Sequence, residues 1–333
     1  MKFGWLSSHE SNQPEDLVTQ AIEAERAGFD AVFASDHFHP WVDDAGSAAG
    51  FVWAWLGAVA ERTERVELAT LVTAPLFHYH PALVAQAAAT LDRLSGGRFR
   101  LGVGTGEAIN ERPMGFPFPG YRERADRLAE AIEIMRRLLA GEKVTYEGRY
   151  YHVDRAKLYS PPLHGVPIWM AAGGPQSATM AGKLADGLIV SVKDPAEAIE
   201  KSIDPFKAAG GEGKTIVATR WCVYAHDREE GWQALRPMRG LRAPGRLEAV
   251  DPKDLREAAD EMPREEIFSK YAYAADADEL FEVYRPLVES VGADYVSVQV
   301  ACVDPLETIR LMGREVLPRL RELAADRVQA SRA

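Results

Sequence analysis

The sequence predicts a parallel α/β barrel, a (β/α)8 architecture, and three observations carry that prediction. Short apolar, β-rich runs alternate with segments of helical period from one end of the 333-residue chain to the other, which is the pattern of βα units wound around a parallel sheet. The length suits one barrel domain, since such barrels commonly take about 250 residues or more. Polar and glycine-bearing segments stand immediately after several strand runs, where this architecture builds its active sites.

The elements follow in order. Lys2 to Leu6 is the first strand, and Pro14 precedes a helix in which Leu17, Ala21 and Ala24 share a face. Phe29 to Ala34 is the second strand, Trp53 to Arg62 a helix, and Val66 to Thr73 the third strand. Pro81 opens a helix to Leu94 at a position where proline costs nothing, because its missing N–H would be unpaired anyway. Phe99 to Gly104 is the fourth strand. Tyr121 to Ala140 is a long helix with Leu128, Ile132, Met135, Leu138 and Leu139 on one stripe. Glu142 to Asp154 reads as a hairpin about Glu147-Gly148, inserted between barrel units. Pro167 to Ala172, Gly187 to Val192, Thr215 to Ala225 and Ala293 to Val300 complete eight strands. Arg228 to Met262 breaks the rhythm, being charged and without a clean strand. It reads as an insertion over one end of a single domain spanning 1–333, with Arg239, Arg242 and Arg246 on a solvated face. Arg327 to Ala333 reads as a frayed tail.

Composition narrows the function. Hydrophobic residues make up 47% and charged residues 27%, ordinary for a folded protein. A formal net charge of −11 repels DNA and acidic lipid at long range, so nucleic acid is not expected as a partner. Cys222 and Cys302 have neither disulfide nor zinc spacing. No apolar run approaches the roughly 18 residues of a membrane span, and no leader pattern stands at the N-terminus. The chain reads as cytoplasmic.

Three segments after strands hold the candidate chemistry. Ser35-Asp36-His37-Phe38-His39-Pro40-Trp41 leaves the second strand, and a histidine held there by a partner can act as a general base near neutrality. A hydrogen-bonded structural imidazole is the alternative. His37 with His39, or His78 with His80, could also ligate a metal, but no third ligand stands at supporting spacing and no metal is assigned. Gly102-Val103-Gly104-Thr105-Gly106-Glu107 lacks the following helix and acidic residue of a dinucleotide fingerprint, so a nicotinamide cofactor is disfavoured. Its glycines do let backbone approach a flat ligand, with Glu107 nearby. Ala172-Gly173-Gly174-Pro175 precedes the helical run Gln176 to Leu184 and offers free amides for a phosphate, or is a plain strand-to-helix turn.

Together, Ser35 to Trp41, Gly104 to Glu111 and Ala171 to Pro175 resemble the luciferase-like flavin and deazaflavin barrel superfamily. Within it they resemble the branch of coenzyme F420-dependent glucose-6-phosphate dehydrogenases and their alcohol-dehydrogenase relatives. The resemblance covers nearly the whole chain and is weakest between Arg228 and Met262. It implies hydride transfer from a hexose 6-phosphate to F420, with His37 as base, Glu107 serving protonation of the deazaflavin, Trp41 at the reacting centre and Glu10 assisting His37. It implies a cofactor site of Asp36, Leu71, Val72, Thr105, Gly106, Asn110, Ala172, Gly173 and Gly174, a cis peptide at Leu71-Val72, and a homodimer.

The phosphate site departs from the family's two lysines and one arginine. Lys193 fits the first lysine, Lys270 stands at the arginine position, and the remaining lysine position falls near Glu257, with Arg256 beside it. Lys193, Arg256 and Lys270 are thus the expected substrate-binding cations. His39, within His-Phe-His-Pro-Trp, also resembles the alcohol-dehydrogenase relatives, so an F420-dependent secondary alcohol or hydroxy-lipid dehydrogenase stands as the alternative, with an FMN-dependent monooxygenase further off.

Overall fold

A computed structural model describes residues 1–330 of the chain. Its strands are β1 (Lys2–Ser7), β2 (Ala31–Ala34), β3 (Glu67–Thr70), β4 (Phe99–Val103), β5 (Val144–Glu147), β6 (His152–Ala156), β7 (Ile168–Ala171), β8 (Gly187–Ser191), β9 (Thr215–Tyr224), β10 (Ala272–Ala274) and β11 (Tyr295–Ala301). Eight of them close a parallel barrel in the order β1, β2, β3, β4, β7, β8, β9, β11, with β11 pairing back onto β1. The eight expected strands are all present.

Strand alternation divides the core into two layers. Ala31 and Phe33 of β2 point into the barrel with Leu6, Ala69, Trp169, Ile189, Val217 and Tyr295, whereas Val32 and Ala34 face the surrounding helices. Burying a side chain such as Phe33 contributes about 2 kcal/mol, so a one-residue slip of β2 would be costly. At Gly102 in β4 a Cβ would stand 2.1 Å from the Thr70 carbonyl oxygen, so only glycine lets β3 and β4 approach there.

The helices end where the sequence signals them. α1 (Pro14–Arg26) and α2 (Val52–Arg62) pack outside β1 to β3. α3 (Pro81–Ser95) starts on proline, and the His80 ring accepts the Ala82 N–H at 3.2 Å, so His80 serves as a helix cap. After the short α4 (Ala108–Glu111), α5 (Tyr121–Leu139) buries Leu128, Ile132, Met135 and Leu138, the stripe read from its period. β5 and β6 form the expected hairpin. Its turn is fixed by Glu130 of α5, whose carboxylate accepts the N–H groups of Arg149, Tyr150 and Tyr151. α6 (Pro175–Leu184) follows β7.

Three details differ from the sequence reading. β10, three residues pairing with the end of β9, is too short to leave a periodic signature. The segment 228–262 is largely helical, with an α-helix at Arg228–Leu235, a 3-10 stretch at Arg236–Arg242 and a second α-helix at Pro252–Asp260. Its Leu235, Met238, Leu241 and Leu255 form an apolar cluster with Trp41, Ile109 and Phe268. Arg239 corrects the expected solvated face: its side chain is 3% exposed and is held by Asp44 and Asp260. Local charge patterning does not register a partner 195 residues away. At the C-terminus the last helix runs Leu317–Ala330, and Arg327 within it donates to the Val288 carbonyl at 2.6 Å. The expected fraying therefore does not begin at Arg327, and residues 331–333 lie outside the described residues.

Candidate active site

The loops leaving the C-terminal ends of β2, β3, β4 and β7 open onto one cavity of about 480 Å³, within the range of small-ligand sites. Asp36, His37, Trp41, Leu71, Val72, Thr105, Gly106, Glu107, Asn110, Ala172 and Gly173 all border it. Glu10 lies behind this wall, buried against Ser35 and Trp41. Gly174 caps the N-terminus of α6 at its rim.

His37 is held by two neighbours, Trp41 and Asn110. Its ring meets Trp41 edge-on, with centroids 4.7 Å apart and planes at 62°. The Phe38 N–H donates to Asn110 Oδ1 at 3.0 Å, which turns the Asn110 amide nitrogen toward His37 Nδ1 at 3.3 Å. Nδ1 is then the acceptor, and the neutral ring carries its proton on Nε2. Glu10 accepts from Ser35 Oγ through one oxygen and from Trp41 Nε1 through the other. Burial alone would push the Glu10 carboxyl up, but the nearby His37 charge and the Ser35 hydroxyl hold it below the usual carboxylate range. An ionised Glu10 beside His37 is the arrangement that stabilises an imidazolium once His37 takes up a proton.

At the opposite wall Asp36 accepts from Thr73 Oγ1 at 2.6 Å and from Tyr79 OH at 3.2 Å, while burial pushes its carboxyl above the ordinary value. The Leu71-Val72 peptide is cis. A Cβ on Gly104 would come within 2.6 Å of Val72 Cγ2, so glycine there keeps the two loops together along a smooth backbone wall. Gly173 and Gly174 face open space, and α6, ten residues long, has no side chain capping its first amides. A flat ring between the two glycine-bearing loops, with an anionic group at the start of α6, fits this cradle. His78 also borders the cavity, its Nδ1 2.7 Å from a fully buried Glu111 carboxylate. In the sequence His78 is marked only as a possible metal ligand beside His80.

A second cavity of about 380 Å³ adjoins the first, sharing Ser191, Trp221 and Arg242 with it. Lys193 and Lys270 both line it: Lys193 lies just beyond β8, and Lys270 is set by β10 two residues later. Repulsion from Arg242, then burial, then Lys270 and Arg246 depress the Lys193 ammonium. Among the described residues no carboxylate lies within ion-pair distance of Lys193 or Arg242, so the cavity carries net positive charge in an acidic chain.

Arg256 corrects the sequence expectation. It sits on the 252–260 helix, donates to the Asp43 carbonyl at 3.2 Å and pairs with Glu257, and it lines neither of these cavities. Leu255 and Ala259 of this helix pack into the apolar cluster with Trp41, whereas Arg256 borders a separate cleft with Arg236 and Asp260. Arg242 and Arg246 enter instead. Arg246 forms an ion pair with Glu107 across the first cavity and lies over Trp41, 5.5 Å from the ring centroid. Two arginines four residues apart in an acidic chain were the available signal, but their direction depends on how the irregular segment folds.

The luciferase-like monooxygenase family matches residues 1–294. The F420-dependent glucose-6-phosphate dehydrogenase of Segniliparus rotundus is 38% identical, over 97% of this chain and 99% of its own length. That of Microbacterium testaceum is 39% identical, over 97% and 98%. Among solved structures, an F420-dependent secondary alcohol dehydrogenase in complex with an F420-acetone adduct superposes with a TM-score of 0.89 at 32% identity, covering 96% of this chain and 99% of that one. The coenzyme F420-dependent tetrahydromethanopterin reductase of Methanopyrus kandleri, at 23% identity and a TM-score of 0.77 over 96% and 99%, shares the fold. The chain belongs to the luciferase-like family, in the branch that holds the F420-dependent glucose-6-phosphate dehydrogenases.

Proposed function

We propose that the protein is an F420-dependent dehydrogenase that oxidises the hydroxyl-bearing carbon of a hexose 6-phosphate. The single observation that carries the substrate class is the cation-lined cavity of Lys193, Arg242 and Lys270 opening beside His37 and Trp41. A substrate that is merely a secondary alcohol would leave Lys193 and Arg242 without a counter-ion, at a cost in repulsion already felt at Lys193, whereas Lys270 is paired with Glu266 at 3.2 Å. The glucose-6-phosphate dehydrogenases at 38% and 39% identity support the same reading over the alcohol dehydrogenase at 32%.

When bound, the deazaflavin supplies the hydride acceptor. Asp36, the Leu71-Val72 segment, Thr105, Gly106, Asn110 and Ala172 to Gly174 would hold it, with its phosphodiester at the first amides of α6. His37 takes the substrate hydroxyl proton at Nδ1, where the arriving hydroxyl replaces the Asn110 amide. Glu10 offsets the charge that develops on the ring. Trp41 holds the imidazole plane and forms an apolar wall that excludes water. Glu107 stands across the cavity as the candidate acid. Lys193 and Lys270 anchor the phosphate, which fixes the sugar carbon relative to His37.

The family resemblance also supports a homodimer and a cytoplasmic location, and sedimentation at micromolar concentration tests the former. Among the described residues no helix is long and apolar enough to cross a membrane. The function itself is tested by mixing purified protein and oxidised F420 with hexose 6-phosphates and with secondary alcohols. Loss of the visible F420 band with a hexose 6-phosphate is the expected result. Reduction by isopropanol alone would overturn the proposal.

A further inference from the structure

The Glu107–Arg246 ion pair joins two parts of the site that the proposed reaction uses separately. Glu107 leads into α4 at the end of the β4 loop, whereas Arg246 belongs to the irregular stretch between the 3-10 segment and the 252–260 helix. Both side chains are one-quarter exposed, so water does not fully screen the pair. The second Glu107 oxygen is buried and has no hydrogen-bond partner among the described residues. Arg246 is therefore the main neutralising group for a carboxylate in the reaction cavity.

Arg246 is also four residues from Arg242, which lines both cavities, and its charge reaches Lys193 and Tyr271 in the wall of the second one. A dianionic group arriving beside Lys193 and Arg242 offers this guanidinium more negative charge than a single carboxylate does. Arg246 stands in a turn closed by the Glu248 and Ala249 N–H groups donating to the Gly245 carbonyl, outside any helix or strand, and Glu107 is the one side chain its guanidinium pairs with among the described residues.

We propose that Arg246 is a positioning residue that exchanges one anion for another: it holds Glu107 in the ligand-free protein and turns to the substrate phosphate in the complex. Filling the cation-lined cavity thereby releases the Glu107 carboxylate into the reaction cavity. The proposal rests on the phosphate reading given above and adds a coupling between phosphate binding and Glu107. No bond is made or broken in the exchange. A substrate without phosphate leaves Glu107 tied to Arg246.

The test is a double-mutant cycle read by calorimetric binding of inorganic phosphate and of glucose 6-phosphate to the full-length chain without cofactor. Four proteins are compared: wild type, Glu107→Gln, Arg246→Gln and the double variant. Because phosphate must compete with Glu107, Glu107→Gln should tighten binding about fivefold, and Arg246→Gln should weaken it. In the double variant the effect of Glu107→Gln should vanish. A general field effect of Glu107 would instead persist without Arg246, and that result overturns the proposal, as does unchanged affinity in Glu107→Gln. If wild type binds neither ligand, the phosphate reading fails and the exchange fails with it. Should Glu107→Gln not fold, Glu107→Asp, which withdraws the carboxylate by one methylene, should tighten binding in the same direction, and wild-type affinity in it refutes the exchange.

Discussion

Replacing Arg239 by methionine should destabilise the protein and loosen the phosphate end of its site. The guanidinium is 3% exposed and donates to Asp260 Oδ1 at 2.7 Å, to Asp44 Oδ2 at 2.7 Å and Oδ1 at 3.1 Å, and to the Arg236 carbonyl at 2.7 Å. Methionine keeps much of the volume but removes every donor. Breaking a fully buried pair costs about 3–5 kcal/mol, chiefly through the charge left behind. That figure must be reduced here, because Asp260 is 51% exposed and rehydrates, and Arg236 remains 3.4 Å from Asp44. About 2–3 kcal/mol is the resulting expectation, a fall of about 3–4 °C in melting midpoint for a chain of this length. The sign of the pH dependence follows from Asp44, whose carboxyl the Arg239 donors and charge hold below its ordinary range. Its contribution is present above the unfolded carboxylate value and is lost as pH falls through the lower folded value. The gap between wild type and Arg239→Met should therefore narrow in acid. Thermal unfolding at neutral and acid pH is the assay, with Asp44→Asn added to Arg239→Met to recover part of the loss. A midpoint within about 1 °C of wild type would refute the reasoning.

Three further outcomes are expected. His37→Ala should lower turnover by about 10²–10⁴-fold while leaving F420 affinity, read by fluorescence, largely intact; an active variant removes His37 from its role. Lys193→Ala and Lys270→Ala should each raise KM for a hexose 6-phosphate about tenfold, with little change in kcat, and normal KM in both would displace the phosphate site. His9 is buried edge-on to Trp55, and burial pushes its imidazole down to about 4. Because the unfolded chain takes up that proton near 6.5, stability should fall by about 2 kcal/mol between pH 7 and pH 5. Denaturant titrations should show this slope in wild type and lose it in His9→Phe; parallel slopes would contradict the assignment.

The parts of this molecule that were legible in its sequence are those with local causes. The short apolar run from Phe29 to Ala34, the stripe from Leu128 to Leu138 and the proline at 81 each act within a few residues, and each marks an element that forms. The loops Ser35 to Trp41 and Thr105 to Asn110 were legible because barrel geometry puts strand ends at one mouth, so neighbours in the site are predictable without knowing their contacts. Arg239, Arg242, Arg246 and Arg256 were not. Their directions depend on Asp44, Glu107 and an apolar cluster built from distant segments, and no period in the 228–262 stretch encodes those partners. β10 was invisible for a simpler reason: three residues carry too little pattern, yet they set Lys270.

The central claim joins a dehydrogenase centre to a phosphate anchor, and one comparison tests both. F420 reduction measured with a hexose 6-phosphate and with the same hexose lacking phosphate should give kcat/KM values differing by about 100-fold or more in favour of the phosphate ester, as expected for two charge-assisted contacts. Equal values, or reduction by neither, would contradict it.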